Sequence, residues 1–401
     1  MTIDPPGARD LDQALHVARA GDGHRVSYAI ADVAAFVVPG GAIDRDAHAR
    51  GVTVYAPDGK VPLHPPSLSE GAASLLPGRW TPAVLWTIDL DEAGEPTAVH
   101  VARAEVRSVA QHTYEDVPAT VAELLREVGE RRAARERQRG GVQLAVPEQE
   151  VVRDGEGWTV RYRVPLPAEE HNAQVSLLTG MAAARLMLEA GTGILRTQDD
   201  PEPGAVEGLR RQALAVGAGW PEGLPYPEWV RGLDPAVPAH AALLREAAGL
   251  GGGAGYTAFD GAPPQATRHF AIAAEYAHAT APLRRLQDRF VSECCLAACA
   301  GRPPAAWARE GLPALPEAMA KADRRARSVE RAVVDLVEAV VLAGREGETF
   351  AAVVVDDGVL QLADPAVRAK LADGCPEPGT AVTVRLDRAD PAARKVAFSV
   401  V

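Results

Sequence analysis

Three carboxylates, Asp4, Asp10 and Asp12, fall within nine residues of one short stretch, Thr2-Ile3-Asp4-Pro5-Pro6-Gly7-Ala8-Arg9-Asp10-Leu11-Asp12-Gln13-Ala14. Adjacent proline and glycine demand a turn, so the carboxylates are expected to converge on one loop. Crowded like charges make each other harder to ionise. A hard divalent cation removes that cost, and Mg²⁺ takes oxygen ligands from one or two carboxylates plus water and substrate phosphate. A solvated acidic turn with Asx caps is the alternative that spacing alone leaves open. The ligand pattern of a calcium-binding EF-hand loop is absent.

A second informative stretch lies far downstream: Tyr276-Ala277-His278-Ala279-Thr280-Ala281-Pro282-Leu283-Arg284-Arg285-Leu286-Gln287-Asp288. Thr280 suits a helix N-cap and Pro282 suits a first turn. Arg284 and Arg285 would then sit near a helix N-terminus, where backbone N–H groups favour phosphate. Asp288, four residues after Arg284, could hold that guanidinium. A surface arginine pair bound to Asp288 explains the same residues without phosphate. His278, alone beside a helix start, reads as structural.

The elements that must position these residues can be read coarsely. Residues 26–38 read as a strand paired with 11–17 across Gly21-Asp22-Gly23, and 52–55, 82–90 and 100–109 read as further strands. Helices are expected over 117–139, 169–190, 206–216, 239–248, 281–300 and 317–345, with a hairpin at 142–164 and a flexible joint at 250–255. After Gly347 the pattern becomes short strands at 349–355, 359–362, 381–386 and 395–401, with turns such as Asp356-Asp357-Gly358, as in a small OB-type barrel. The expected organisation is α+β: a catalytic domain over 1–346, a mixed sheet flanked by helices, then an OB-type barrel over 347–401.

The 401 residues are 47% hydrophobic and 24% charged, with a net charge of −12. That balance fits one large domain plus a small one. The acidity argues against a nucleic-acid binder with a broad basic face, while leaving room for a local basic channel. No apolar run reaches a membrane span and no signal peptide opens the chain, so no membrane partner is expected. Cys294, Cys295, Cys299 and Cys375 form no Cys-x-x-Cys pair and read as reduced, buried thiols of a cytoplasmic protein.

Taken together, the two stretches resemble the RNB-domain exoribonucleases, the ribonuclease II and ribonuclease R group. Residues 2–14 fit the family's first motif except at one position, and residues 276–285 fit its second. Tyr28-Ala29-Ile30-Ala31-Asp32-Val33 and Arg50-Gly51-Val52-Thr53-Val54-Tyr55, followed by Pro57 and Pro62, match between them in order. The resemblance implies a magnesium-dependent 3′→5′ exoribonuclease acting on single-stranded RNA and releasing nucleoside 5′-monophosphates. It places Asp4, Asp10 and Asp12 at the metal and water positions of a two-metal displacement. Arg284 takes the catalytic arginine position, where a planar fork neutralises charge on the scissile phosphate. Tyr55 matches the aromatic that stacks on the 3′-terminal base, and Glu330 a late acidic position near the terminal nucleotide. Arg285 is assigned to RNA contact beside Arg284. A half-buried strand residue and a Glu–Arg helix surface are the structural alternatives for Tyr55 and Glu330. A monomer is expected.

Three departures qualify the resemblance. Gln13 stands where the family usually has a fourth Asp; its amide oxygen could ligate metal only weakly. Asn172-Ala173-Gln174 aligns where many members are acidic, which could loosen selection of RNA over DNA. The family places RNA-binding modules ahead of its first motif, which here starts at residue 2, so the chain is either a fragment or a lineage that dispenses with them. The barrel carries Phe350 and Phe398 as its aromatics and is expected to grip RNA poorly. The competing reading is a non-catalytic RNA-binding or regulatory relative disabled at Gln13.

Overall fold

Four antiparallel strands, Gln13–Ala20, Gly23–Ala31, Trp80–Leu90 and Pro96–Arg107, form the central sheet in that order. The computed structural model describes residues 1–142, 144, 148–163, 165–235, 237–356, 358–371 and 376–401. Cys375, Asp357 and part of the 142–164 stretch lie outside the described residues.

Alternation along the strands gives the sheet two different faces. On one, Leu15, Val17, Val26, Tyr28, Ile30, Trp86 and Ile88 pack with Val175 and Leu178 of the helix Pro167–Ala190 and with Phe290, Val291 and Cys294 of the helix Leu286–Cys299. Leu11, Ala14, Ala29, Ala31, Leu75, Ala83 and Leu283 form a separate buried cluster. That second cluster matters for the site, because Leu11 lies between Asp10 and Asp12 and Leu283 immediately precedes Arg284. Burying a leucine is worth about 1.5–3 kcal/mol, so apolar packing draws the two distant stretches together.

The sheet differs from the sequence reading at one end. The strand stops at Ala31 rather than Val38, and Val33–Ala35 turns as a 3₁₀ segment. Arg103 bonds the Asp32 carboxylate at 2.8 Å, fixing the departure point. The helices Ala42–Arg50, Tyr226–Arg231 and Ala306–Gly311 and the strand pair Thr192–Thr197/Gly255–Asp260 were not legible from periodicity. The long helix Leu315–Leu342 lies against Gly51, whose positive φ of 73° and contact with Ala322 leave no room for a side chain.

At the C-terminus, strands run in the order Arg368–Lys370, Val359–Leu362, Thr349–Asp356, Ala381–Asp390, Lys395–Val400, all antiparallel. A bridge from Leu371 to Phe398 nearly closes the sheet into the expected OB-like barrel. Phe350 and Phe398 meet edge to face at 6.1 Å inside it. Both rings are buried, so they are spent on the core and offer bases no stacking platform. No helix among the described residues is long and apolar enough to cross a membrane.

Candidate active site

The first stretch is a loop held at both ends. Thr2 and Ile3 pair in parallel with Gln111 and His112, and the Asp4 N–H donates to His112 O at 3.0 Å. Pro5-Pro6-Gly7 then reverses the chain, with Gly7 at φ 79°, a conformation that favours glycine. Beyond the turn, the Leu11 N–H donates to Ser74 Oγ at 3.0 Å, while the Ser74 hydroxyl donates to Arg9 O at 2.6 Å.

The second stretch is pinned by the same loop. Leu283 N–H donates to Asp12 Oδ1 at 2.7 Å. Arg284 Nε lies 3.5 Å from Asp12 Oδ2. From the other side, Thr53 N–H donates to Arg284 O and Leu286 N–H to Gly51 O, each at 2.9 Å. Asp12 is 5% exposed, whereas the Arg284 side chain is 46% exposed. A buried carboxylate therefore aims an open guanidinium.

Asp288 does not play the part its spacing suggests. It holds Arg285, at 2.8 Å from Nη2, rather than Arg284, and also accepts the Ala281 N–H at 2.7 Å. The reason is that residues 281–285 are not helical: the helix starts at Leu286 with Arg285 extended at its N-cap, so Thr280 is not the cap. Counting four residues from Arg284 thus applies helical spacing where no helix exists. Burial works against the Arg285 charge, but Asp288 outweighs it and raises the pKa. Arg285 is committed to the fold, and Arg284 is the arginine left facing outward.

The remaining candidates fall into place as follows. Asp10 accepts from Lys60 Nζ at 2.6 Å and from Tyr55 OH at 3.1 Å. Tyr55 is 50% exposed beside the carboxylates. Gln13 bridges the two stretches: its amide donates to Thr280 O at 2.7 Å and its oxygen accepts from Tyr28 OH at 2.6 Å. Glu330 lies on the exposed side of the long helix, lining a hollow with Gln149, Arg327, Arg331 and Arg368 next to the barrel. His278 is half-buried against Tyr256, its Nδ1 2.8 Å from the hydroxyl, and desolvation holds its pKa well below the ordinary value. Asn172 bonds Tyr114, and Gln174 donates to Glu136 at 2.6 Å. Lys60 and Ser74 carry no local sequence signal, because each acts on a loop more than 45 residues away, and Glu70 reaches that loop only through Lys60.

Burial acts on the titration of Asp12 and Asp4. Burial pushes the Asp12 carboxyl up to about 7, against Arg284 and the Leu283 N–H. Burial pushes Asp4 up to about 6, with the charge of Asp10 adding to it. Asp4 Oδ2 is buried without a hydrogen-bond partner. Among the described residues, no group of three or more His, Cys, Asp or Glu side chains is gathered closely enough to hold a metal. Asp4 and Asp12 are acids whose ionised forms burial disfavours, and oxygen donors of this kind suit a hard cation such as Mg²⁺.

These shifts predict a pH effect on the metal-free protein. Both acids bind protons more tightly folded than unfolded, so the stability they contribute is complete below the ordinary value of 3.8. It is lost as pH rises through 6 and then 7. In chelator, Asp12→Asn should therefore gain melting temperature over the wild type between about pH 5 and about pH 8. A margin that stays constant across that range would contradict the buried-charge assignment.

Residues 1–299 match the family profile of the RNB domain. The chain belongs to the RNB family. Residues 348–401 match the RNase II-type exonuclease C-terminal S1 domain. Among curated RNB relatives, ribonuclease R of Aquifex aeolicus is 29% identical over 400 residues, covering 88% of this chain and 53% of that protein. Ribonuclease R of Escherichia coli is 28% identical over 318 residues, covering 72% of this chain and 38% of that protein. The chain thus spans about half or less of the curated relatives it matches. The fold matches Mycoplasma genitalium RNase R in complex with ribose methylated single-stranded RNA, with a TM-score of 0.89 at 17% identity, covering 100% of this chain and 70% of that one.

Proposed function

We propose that this RNB chain is a magnesium-dependent exoribonuclease that shortens single-stranded RNA from its 3′ end and releases nucleoside 5′-monophosphates. The observation that carries the reading is the Asp12–Arg284 pair, joined across the fold by Leu283 N–H on Asp12. It sets a carboxylate that can hold a cation directly beside a guanidinium that can hold a phosphate.

Asp4, whose Oδ2 has no hydrogen-bond partner, and Asp12 would hold the divalent ion. When bound, such an ion supplies charge neutralisation at the phosphate and a more acidic water. Arg284 stabilises charge building on the scissile phosphate. The wall formed by Leu11, Leu283 and their neighbours keeps these groups in register and water away from their backs. Gln13 serves as a tie between Tyr28 and Thr280. That use of the amide, together with the charge it lacks, supports the competing reading of a non-catalytic RNA binder.

The two readings separate on one experiment: single-stranded RNA labelled at its 5′ end, incubated with Mg²⁺ or with chelator. The nuclease gives progressively shorter labelled products with Mg²⁺ alone. A bound but uncut strand supports the non-catalytic reading.

Tyr55 gives a further prediction. Its half-exposed ring can stack on the terminal base, an interaction worth about 1–3 kcal/mol. Tyr55→Ala should leave cleavage intact but stop at end products one or more nucleotides longer. An unchanged product ladder would reduce Tyr55 to its hydrogen bond with Asp10.

A further inference from the structure

The Tyr256 hydroxyl lies between the two flanks of the segment that carries Arg284. Tyr256 belongs to the strand Gly255–Asp260. On one side its oxygen is 2.8 Å from His278 Nδ1, and on the other Gln287 Nε2 donates to it at 3.1 Å. His278 precedes the non-helical stretch 281–285, and Gln287 follows it in the first turn of the helix Leu286–Cys299. One hydroxyl therefore ties both ends of the loop.

The proton roles follow from the chemistry of the groups. A side-chain amide nitrogen carries two hydrogens. Gln287 uses them on Tyr256 and on Asp288 Oδ1, the latter at 2.6 Å. Turning the amide over would set its oxygen against a carboxylate, so the orientation holds even though Oε1 is buried without a partner. Tyr256 accepts from Gln287 and has its own hydrogen left for His278 Nδ1. That nitrogen can accept it only when the imidazole proton sits on Nε2. Desolvation, Arg285 and Arg196 keep the imidazole neutral.

From Gln287 the connection runs on to Arg284. Asp288 is fully buried and accepts the Ala281 N–H at 2.7 Å. Ala281 O in turn accepts the Arg284 N–H at 3.2 Å. The Tyr256 ring is held separately from its hydroxyl. The Arg196 guanidinium lies over the ring, 4.4 Å from its centre, and pairs with Asp323 of the long helix at 3.5 Å.

We infer that Tyr256 is a positioning residue for Arg284. Its hydroxyl, through His278 on one flank and through Gln287 and Asp288 on the other, holds the loop that presents the guanidinium to the scissile phosphate. The effect on rate rests on the nuclease reading given above; the effect on the loop does not.

Two variants test this, one at each end of a link. Tyr256→Phe keeps the ring under Arg196 and removes the hydroxyl, while Gln287→Met keeps the length and removes both donors. On 5′-labelled single-stranded RNA with Mg²⁺, each should lower kcat by about 10- to 100-fold. KM should stay within about twofold of the wild type. Tyr256→Phe added to Arg284→Ala should lower kcat no further, because the hydroxyl acts through that guanidinium. Amide hydrogen exchange followed by NMR reads the loop without turnover. The Ala281 and Arg284 N–H groups should exchange at least about 10-fold faster in both variants, with the central sheet unchanged. Unchanged exchange at these two amides overturns the inference, as does faster exchange spread equally through the sheet. Wild-type kcat in Tyr256→Phe, or a further loss on the Arg284→Ala background, overturns it too. If thermal unfolding shows Tyr256→Phe unfolded, Gln287→Met decides. A wild type that cuts no RNA refutes the nuclease, and exchange alone then decides whether Tyr256 holds the loop.

Discussion

Asp12→Asn should slow RNA hydrolysis by at least about 1,000-fold while leaving affinity for single-stranded RNA within about threefold of the wild type. The substitution preserves shape: the remaining oxygen can still accept the Leu283 N–H that Asp12 takes at 2.7 Å. What disappears is the charge. Asp12 is the acid that both faces Arg284 and lies deepest in the loop, so its loss removes the proposed cation ligand and the partner that aims the guanidinium. Those interactions count most when charge builds on the phosphate, and rate should therefore suffer more than binding. Near-normal turnover by the variant would remove Asp12 from the chemistry.

Arg284→Lys is expected to lower kcat by about 10- to 1,000-fold. The Arg284 guanidinium is 46% exposed, with Nε 3.5 Å from Asp12 Oδ2, and so is open to meet a planar phosphate edge. Lysine offers a point charge and no fork. Its neighbour provides the contrast. Arg285 makes its bonds to Asp288, a fully buried acid that also caps Ala281. Arg285→Lys should lower the melting temperature with a much smaller effect on kcat. Equal losses of kcat in the two variants would show that neither arginine meets the phosphate.

The sequence made the site legible where chemistry is local. Asp4, Pro5-Pro6-Gly7 and Asp12 announce a carboxylate turn by spacing, and the change to short strands after Gly347 announces the barrel. Long-range arrangements could not be read in the same way. Lys60 and Glu70 look like ordinary loop charges until the hairpin Val54–Ala56/Gly59–Val61 brings Lys60 to Asp10 and the π-helical turn Leu68–Ala72 brings Glu70 to Lys60. The helix Ala42–Arg50 has little apolar periodicity because its inward face carries Asp44, paired at 2.7 Å with the buried Arg289. Gly255 reads as the end of a flexible joint, yet it opens the strand that pairs with Thr192–Thr197. Thr280 has the residue type of a cap, but its hydroxyl meets Ser176 at 2.8 Å and its carbonyl accepts from Gln13.

The barrel and the RNB portion divide the work unequally. With both phenylalanines inside the barrel core, Tyr55, half-exposed beside Asp10, is an aromatic surface placed to meet a base. Strand affinity should accordingly depend more on Tyr55 and on arginines such as Arg284 than on aromatic stacking at the C-terminus.

The central claim is that Asp4, Asp12 and Arg284 form one hydrolytic site that works from the 3′ end. Its most direct test is a time course on single-stranded RNA labelled at the 5′ end, with Mg²⁺, resolved to single nucleotides, alongside chromatography of the released product. The account predicts labelled strands that shorten stepwise, nucleoside 5′-monophosphates as the released species, and no change in chelator. Intact RNA at every time with Mg²⁺ present, or immediate release of the 5′ label as a mononucleotide, would contradict it.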